Sequence, residues 1–166
     1  MVLKSRSNQF GGLSRLRLMP DRNSLIAISD QGNFVRAQFI RDDFGRLSGI
    51  GKVEMRHLLG ISGHPLSKSF EKAAQDCEAI ERLGNGDYFV IFELNHRILR
   101  YSSLLRPPKL FAVPPGISNT PPNGGIEAMT LLPDGIILIM TENFSAKTKE
   151  NKQPSDFIWG LLNANG

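Results

Sequence analysis

One unit occurs three times in this chain, and that repetition constrains the fold more than any other feature. The first copy runs Gly-Gly-Leu-Ser-Arg-Leu-Arg-Leu-Met-Pro-Asp (11–21) into Leu-Ile-Ala-Ile-Ser-Asp (25–30). The second is Asp-Cys-Glu-Ala-Ile-Glu-Arg-Leu (76–83), followed across Gly-Asn-Gly-Asp by Tyr-Phe-Val-Ile-Phe-Glu (88–93). The third is Gly-Gly-Ile-Glu-Ala-Met-Thr-Leu-Leu-Pro-Asp-Gly (124–135), leading into Ile-Ile-Leu-Ile-Met-Thr-Glu (136–142). Ser14, Glu78 and Glu127 hold one aligned position, and Asp30, Glu93 and Glu142 hold another.

Each copy has the grammar of a hairpin. A strand ends at Pro-Asp or Gly-Asn-Gly-Asp, which is turn chemistry. An almost wholly apolar strand follows, as expected of one covered on both faces. Asn33–Ile40 and His96–Tyr101 read as third strands, and Gly49–Arg56 and Leu110–Val113 as outer fourth strands. Asp42–Gly45 is the hairpin between strands three and four of the first unit. Four-stranded units of about 40–50 residues are propeller blades. The expected fold is therefore all-β and β-propeller-like, with about three four-stranded blades near 10–56, 76–113 and 123–162 and an incomplete ring. The first interval between copies exceeds the second, which places an irregular or short helical insertion near 57–76. Helical spacing of Phe70, Ala73, Ala74, Cys77 and Ile80 competes with the strand reading over 69–83; the repeat register takes over from Glu78. Residues 1–9 form an N-terminal segment, and 145–166 a polar connection with a possible last strand.

Bulk properties exclude several classes. A net charge of +4 with no run of basic residues among aromatics argues against nucleic acid and favours a small anionic ligand. The single cysteine, Cys77, reads as a small buried hydrophobe and builds neither an internal disulfide nor a thiolate metal site. No stretch is long and apolar enough to span a bilayer. Met-Val-Leu-Lys-Ser-Arg lacks the apolar core of an export signal, which points to the cytoplasm for a complete chain.

Phe10-Gly-Gly-Leu-Ser14, Ser29-Asp30-Gln-Gly-Asn33, Phe92-Glu93 with His96-Arg97-Ile98, and Asn123-Gly-Gly-Ile-Glu127 together resemble the bacterial phytase-like domain family, also described as esterase-like activity of phytase. The resemblance covers about residues 10–144. It implies a complete propeller in a protein about twice this length, export to the periplasm, and hydrolysis of a phosphoester or ester. After Asn143 the sequence departs into the polar stretch 145–155, without blades that would close a ring. Exposed blade faces are costly in water. A homodimer completing the ring, or a truncated product, is the expectation that follows.

Among the acids, Glu78, Glu127, Asp30, Glu93 and Glu142 are the candidate ligands of a hard cation such as calcium, which takes six or more oxygens. The alternative is structural: arginine pairing, with Asp30 accepting turn N–H groups. Arg97, His96 and Arg15 are candidates for holding substrate, since a guanidinium fork fits a phosphate or carboxylate. Read as strand residues, His96 and Arg100 share one face and Arg97 takes the other. No Gly-x-Ser-x-Gly elbow, zinc-spaced histidine pair or phosphate-binding glycine loop occurs; Ser62 and His64 lie near each other in a glycine-rich loop. Metal-assisted hydrolysis of a phosphate ester or other ester is the first functional expectation. A noncatalytic ligand- or protein-binding propeller and an inactive fragment are the others.

Overall fold

The computed structural model describes residues 7, 10–66, 74–114, 117, 124–141 and, as a strand only, 159–163. Its first sheet is a meander of β1 (Leu13–Leu18), β2 (Ser24–Ser29), β3 (Asn33–Arg41) and β4 (Leu47–His57). The second repeats the pattern with β5 (Cys77–Arg82), β6 (Tyr88–Phe92), β7 (Arg97–Tyr101) and β8 (Lys109–Ala112). In the third, β9 (Ile126–Leu131) and β10 (Ile136–Thr141) pair with β11 (Trp159–Asn163). All pairings between these strands are antiparallel.

The sheets stack as neighbouring blades, with β5 between β1 and β9. Alternation along each middle strand sends its side chains to opposite faces, so one strand supplies two cores. Val90, Phe92 and Leu99 meet Ile26, Ile28 and Phe34 of the first blade. Phe89, Ile91 and Ile98 meet Ile126, Met129, Ile137 and Ile139 of the third. The all-β propeller architecture expected from the repeat is therefore present.

The copies agree down to their irregularities. Residues 19–22, 83–86 and 132–135 form the same turn, and its last position is left-handed in Arg22, Gly86 and Gly135. Arg22 bears a strain of about 1 kcal/mol that the two glycines avoid; Asp21 supports that turn by accepting from the N–H groups of Asn23 and Ser24. Each inner strand also carries a β-bulge at an equivalent place. The pairing skips Ser14 in β1, Glu78 in β5 and, in β9, Glu127.

Glu78 thus lies in a strand, as the repeat register requires. The insertion is irregular in its described part, where Leu59 bridges Pro65 and the N–H of Leu66 donates to Leu58. Residues 67–73, including Phe70 and Ala73 of the helical reading, lie outside the described residues, as do Glu142 and the stretch 145–155. Leu58 and Leu66 join the core between blades one and two, and the Tyr101 hydroxyl donates to the Leu59 carbonyl at 2.8 Å. Tyr101→Phe should cost about 1 kcal/mol. Hydrogen exchange should speed up in residues 58–66 before the rest of the second blade; unchanged exchange there would deny the anchor.

Candidate metal centre

A bulge inserts one unpaired residue, bends the strand and re-aims a side chain. At position 78 it directs a carboxylate toward the loop ends of the second and third blades. The N–H of Glu93 donates to the Asp76 carbonyl at 3.0 Å, and the N–H of Asp30 donates to Gly12 at 2.9 Å in the first blade. Gly12, Asp76 and Gly125 are therefore equivalent positions, two residues before each bulge. Only the second blade has an acid there.

Asp76, Glu78 and Glu93 each offer a carboxylate oxygen, and these oxygens lie within 4.8 Å of one another. Asp76 and Glu93 are buried; Glu78 is half-buried. The Glu78 carboxyl is pushed up to about 8, first by burial, then by the charges of Glu127, Asp76 and Glu93. Glu93 rises to about 7 through burial and the charge of Glu127, against a hydrogen bond from the Gly125 N–H. Glu127 of the third blade is thereby tied electrostatically to both. The ion pairs among the described residues are Arg17–Glu81, Arg56–Glu54 and Arg100–Asp87. Among the described residues, none of these three pairs includes Asp76, Glu78 or Glu93.

His96 closes the tight turn after Glu93, its N–H donating to the Glu93 carbonyl at 2.9 Å. Its φ of 40° is left-handed, a strained conformation of the kind found where function holds a residue in place. Burial lowers its pKa, against a hydrogen bond with the main chain of Glu93. The expectation that His96 and Arg100 share a strand face is corrected here: β7 begins at Arg97, and a left-handed residue breaks the alternation. Arg100 pairs instead with Asp87, Nε to Oδ2 at 2.7 Å. Arg97 lies over the Phe92 ring at 4.4 Å and donates to the Ala74 carbonyl at 3.3 Å.

The remaining candidates lie elsewhere. Asp30 is outside the group of three acids; its carboxylate fills the space that a Cβ on Gly12 would need, leaving no room for a side chain there. Turn N–H groups do not hold it, because the Ser29 hydroxyl accepts from Gln31 and Asn33. Its charge acts on the buried Cys77 thiol, which burial pushes up. Arg15 and Arg17 both act on Glu81, a carboxylate 1% exposed that Arg17 meets at 2.6 Å. Burial raises Glu81, and the Leu131 main chain lowers it, so this acid joins the inner strands of all three blades. Sequence reasoning missed both Asp76 and Glu81. An acid in a slot that the other copies fill with glycine was the available signal for Asp76.

A family model described as Phytase-like, esterase-like activity of phytase, matches residues 8–163. No curated protein matches. A solved structure entitled "Crystal structure of puromycin hydrolase" aligns with a TM-score of 0.46 at 13% identity, over 90% of this chain. The chain spans 20% of that protein's length.

Proposed function

The chain belongs to the phytase-like family described as esterase-like activity of phytase, and from that premise we propose that it supports metal-assisted hydrolysis of a phosphoester or ester at the Asp76–Glu78–Glu93 cluster. The observation that carries this reading is the convergence of three carboxylate oxygens within 4.8 Å. Two oxygens that share one calcium at about 2.4 Å each lie at most about 5 Å apart. The donors are hard carboxyl oxygens drawn from both ends of one hairpin, which suits calcium. Asp76, Glu78 and Glu93 would hold the cation, with Glu127 adding negative charge from the third blade. A cation bound there would supply a Lewis acid for the scissile group and lower the pKa of a bound water.

The chain's own residues have separate tasks in this reading. His96, whose pKa burial lowers, lies in the turn that Glu93 begins. Arg97, fixed over Phe92, offers its fork to the substrate anion. Hydrolysis forms a bond from water oxygen to phosphorus or acyl carbon, breaks the ester bond, and returns a proton to the departing alcohol. Ring completion by a second copy and residence in the periplasm also belong to this proposal. A monomer in sedimentation velocity, or a cytoplasmic pool on cell fractionation, would count against them.

Calcium titration followed by thermal melting tests the centre. At a hundredfold excess over Kd the gain is about 2.7 kcal/mol, or about 5–10 °C for a chain of this size. Glu93→Gln should abolish most of that gain. A wild-type melt that millimolar calcium leaves unmoved would end the calcium reading.

A further inference from the structure

A crevice of about 340 Å³ lies between the first two blades, lined among others by Met19, Ser24, Ile26, Arg36, Lys52 and Tyr88. Ser24 and Tyr88 begin β2 and β6, whereas Asp30 and Glu93 follow the ends of those strands, so the crevice is at the far end of the blades from the acidic cluster. Ile26 and Tyr88 belong to the core these blades share, and Met19 packs against it. Arg36 opposes Ile26 across the strands, on the same face of the sheet, and the Phe34 ring lies 5.5 Å from its guanidinium. Lys52 brings a second cation to the lining from a left-handed backbone, φ 47°, a conformation that strains a residue other than glycine.

The second blade shows what Arg36 lacks. The N–H of Met19 donates to the Ser24 carbonyl at 2.9 Å, as the N–H of Leu83 donates to that of Asp87 at 2.8 Å, so Ser24 and Asp87 hold one position. Two residues on, Ile26 opposes Arg36 and Phe89 opposes Arg100, so the arginines are equivalent too. Arg100 donates from Nε to Asp87 Oδ2 at 2.7 Å. In the first blade serine replaces that acid, and its hydroxyl donates to Asp21 at 2.6 Å. Glu54, the neighbour of Arg36 on β4, accepts from Arg56 at 3.0 Å instead. Arg36 Nε is buried and, among the described residues, has no hydrogen-bond partner. A charged donor left so is costly, and a carboxylate is the acceptor its planar fork fits. We propose that the crevice binds a small carboxylic acid as its anion. The carboxylate meets Arg36 as Asp87 meets Arg100, and an apolar body lies against Met19, Ile26 and Tyr88. The volume lies at the lower end of the range for small-molecule sites.

The probe is para-fluorobenzoate, its binding to the protein in EDTA followed by fluorine NMR, with para-fluorobenzyl alcohol as its uncharged match. The wild type should bind the acid about tenfold more tightly than the alcohol, the effect of one hydrogen-bonded charge. Ser24→Asp restores the acid of the second blade, so the slot fills from within and the probe should bind about tenfold more weakly or worse. Ser24 is half-buried at the start of β2, outside the packed core. Arg36→Gln removes the fork and should weaken the probe to the same degree, while leaving the alcohol unchanged. Equal binding of acid and alcohol by the wild type, or no binding of the probe at millimolar concentration, would overturn the assignment. So would wild-type probe affinity in both variants. Inorganic phosphate displacing the probe more readily than unlabelled benzoate does would also overturn it, in favour of a phosphate site.

Discussion

Glu78→Gln raises the melting temperature of the cation-free protein at pH 8 by about 4–8 °C, and the gain shrinks toward zero near pH 5. Burial first, and then the charges of Glu127, Asp76 and Glu93, lift the folded-state pKa of Glu78 to about 8; Glu93 rises to about 7. In the unfolded chain both return to the ordinary glutamate value of 4.5. Between those limits the folded state binds more protons than the unfolded one, so stability falls as pH rises. The loss begins above about pH 4.5 and is complete once pH exceeds about 8. Both carboxyls keep some contact with water, so screening reduces the effect to on the order of 2 kcal/mol. At about 2–4 °C per kcal/mol this gives the stated range. Glutamine keeps the shape of the protonated acid and never ionises.

Calcium should reverse the sign. With the cation present the wild type gains stability that the glutamine variant lacks, so the variant becomes the less stable protein at pH 8. Differential scanning calorimetry at pH 5 and 8, with EDTA or calcium, gives all four values. A variant destabilised equally in all four conditions would show that Glu78 serves the packing of β5 alone.

Much of the architecture was legible because repetition multiplies weak local signals. A strand in one copy is supported by the aligned strands in the other two, which is why the helical spacing through Ala74, Cys77 and Ile80 did not prevail over β5. The alignment of Ser14, Glu78 and Glu127 was also readable, but not its meaning. A bulge is a mismatch of pairing between two strands, and no property of one strand announces it. His96 failed for a related reason: alternation along a strand predicts a face only after the strand has begun. Asp76 was hidden in a slot that the other copies fill with glycine, and it completes the candidate site.

That slot yields the second large effect, at Gly125. A Cβ placed there would lie 2.7 Å from His96 Nδ1, 2.8 Å from Glu93 Cγ and 2.9 Å from His96 Cε1. Real Cβ atoms do not approach heavy atoms so closely, and neither neighbour moves freely. His96 is held in a left-handed turn, and Glu93 is tied through its main chain to Asp76 and His96. Gly125→Ala should therefore displace the imidazole and the carboxylate together and cost about 1–3 kcal/mol through overpacking. Because Glu93 is one of the three converging acids, calcium affinity should fall at least tenfold. Gly11→Ala is the matched control, since a Cβ there meets nothing within 4 Å. Isothermal titration with calcium on both variants separates crowding at the site from a general intolerance of alanine. Equal affinities in Gly125→Ala and Gly11→Ala would mean that the third blade does not shape the acidic cluster at all.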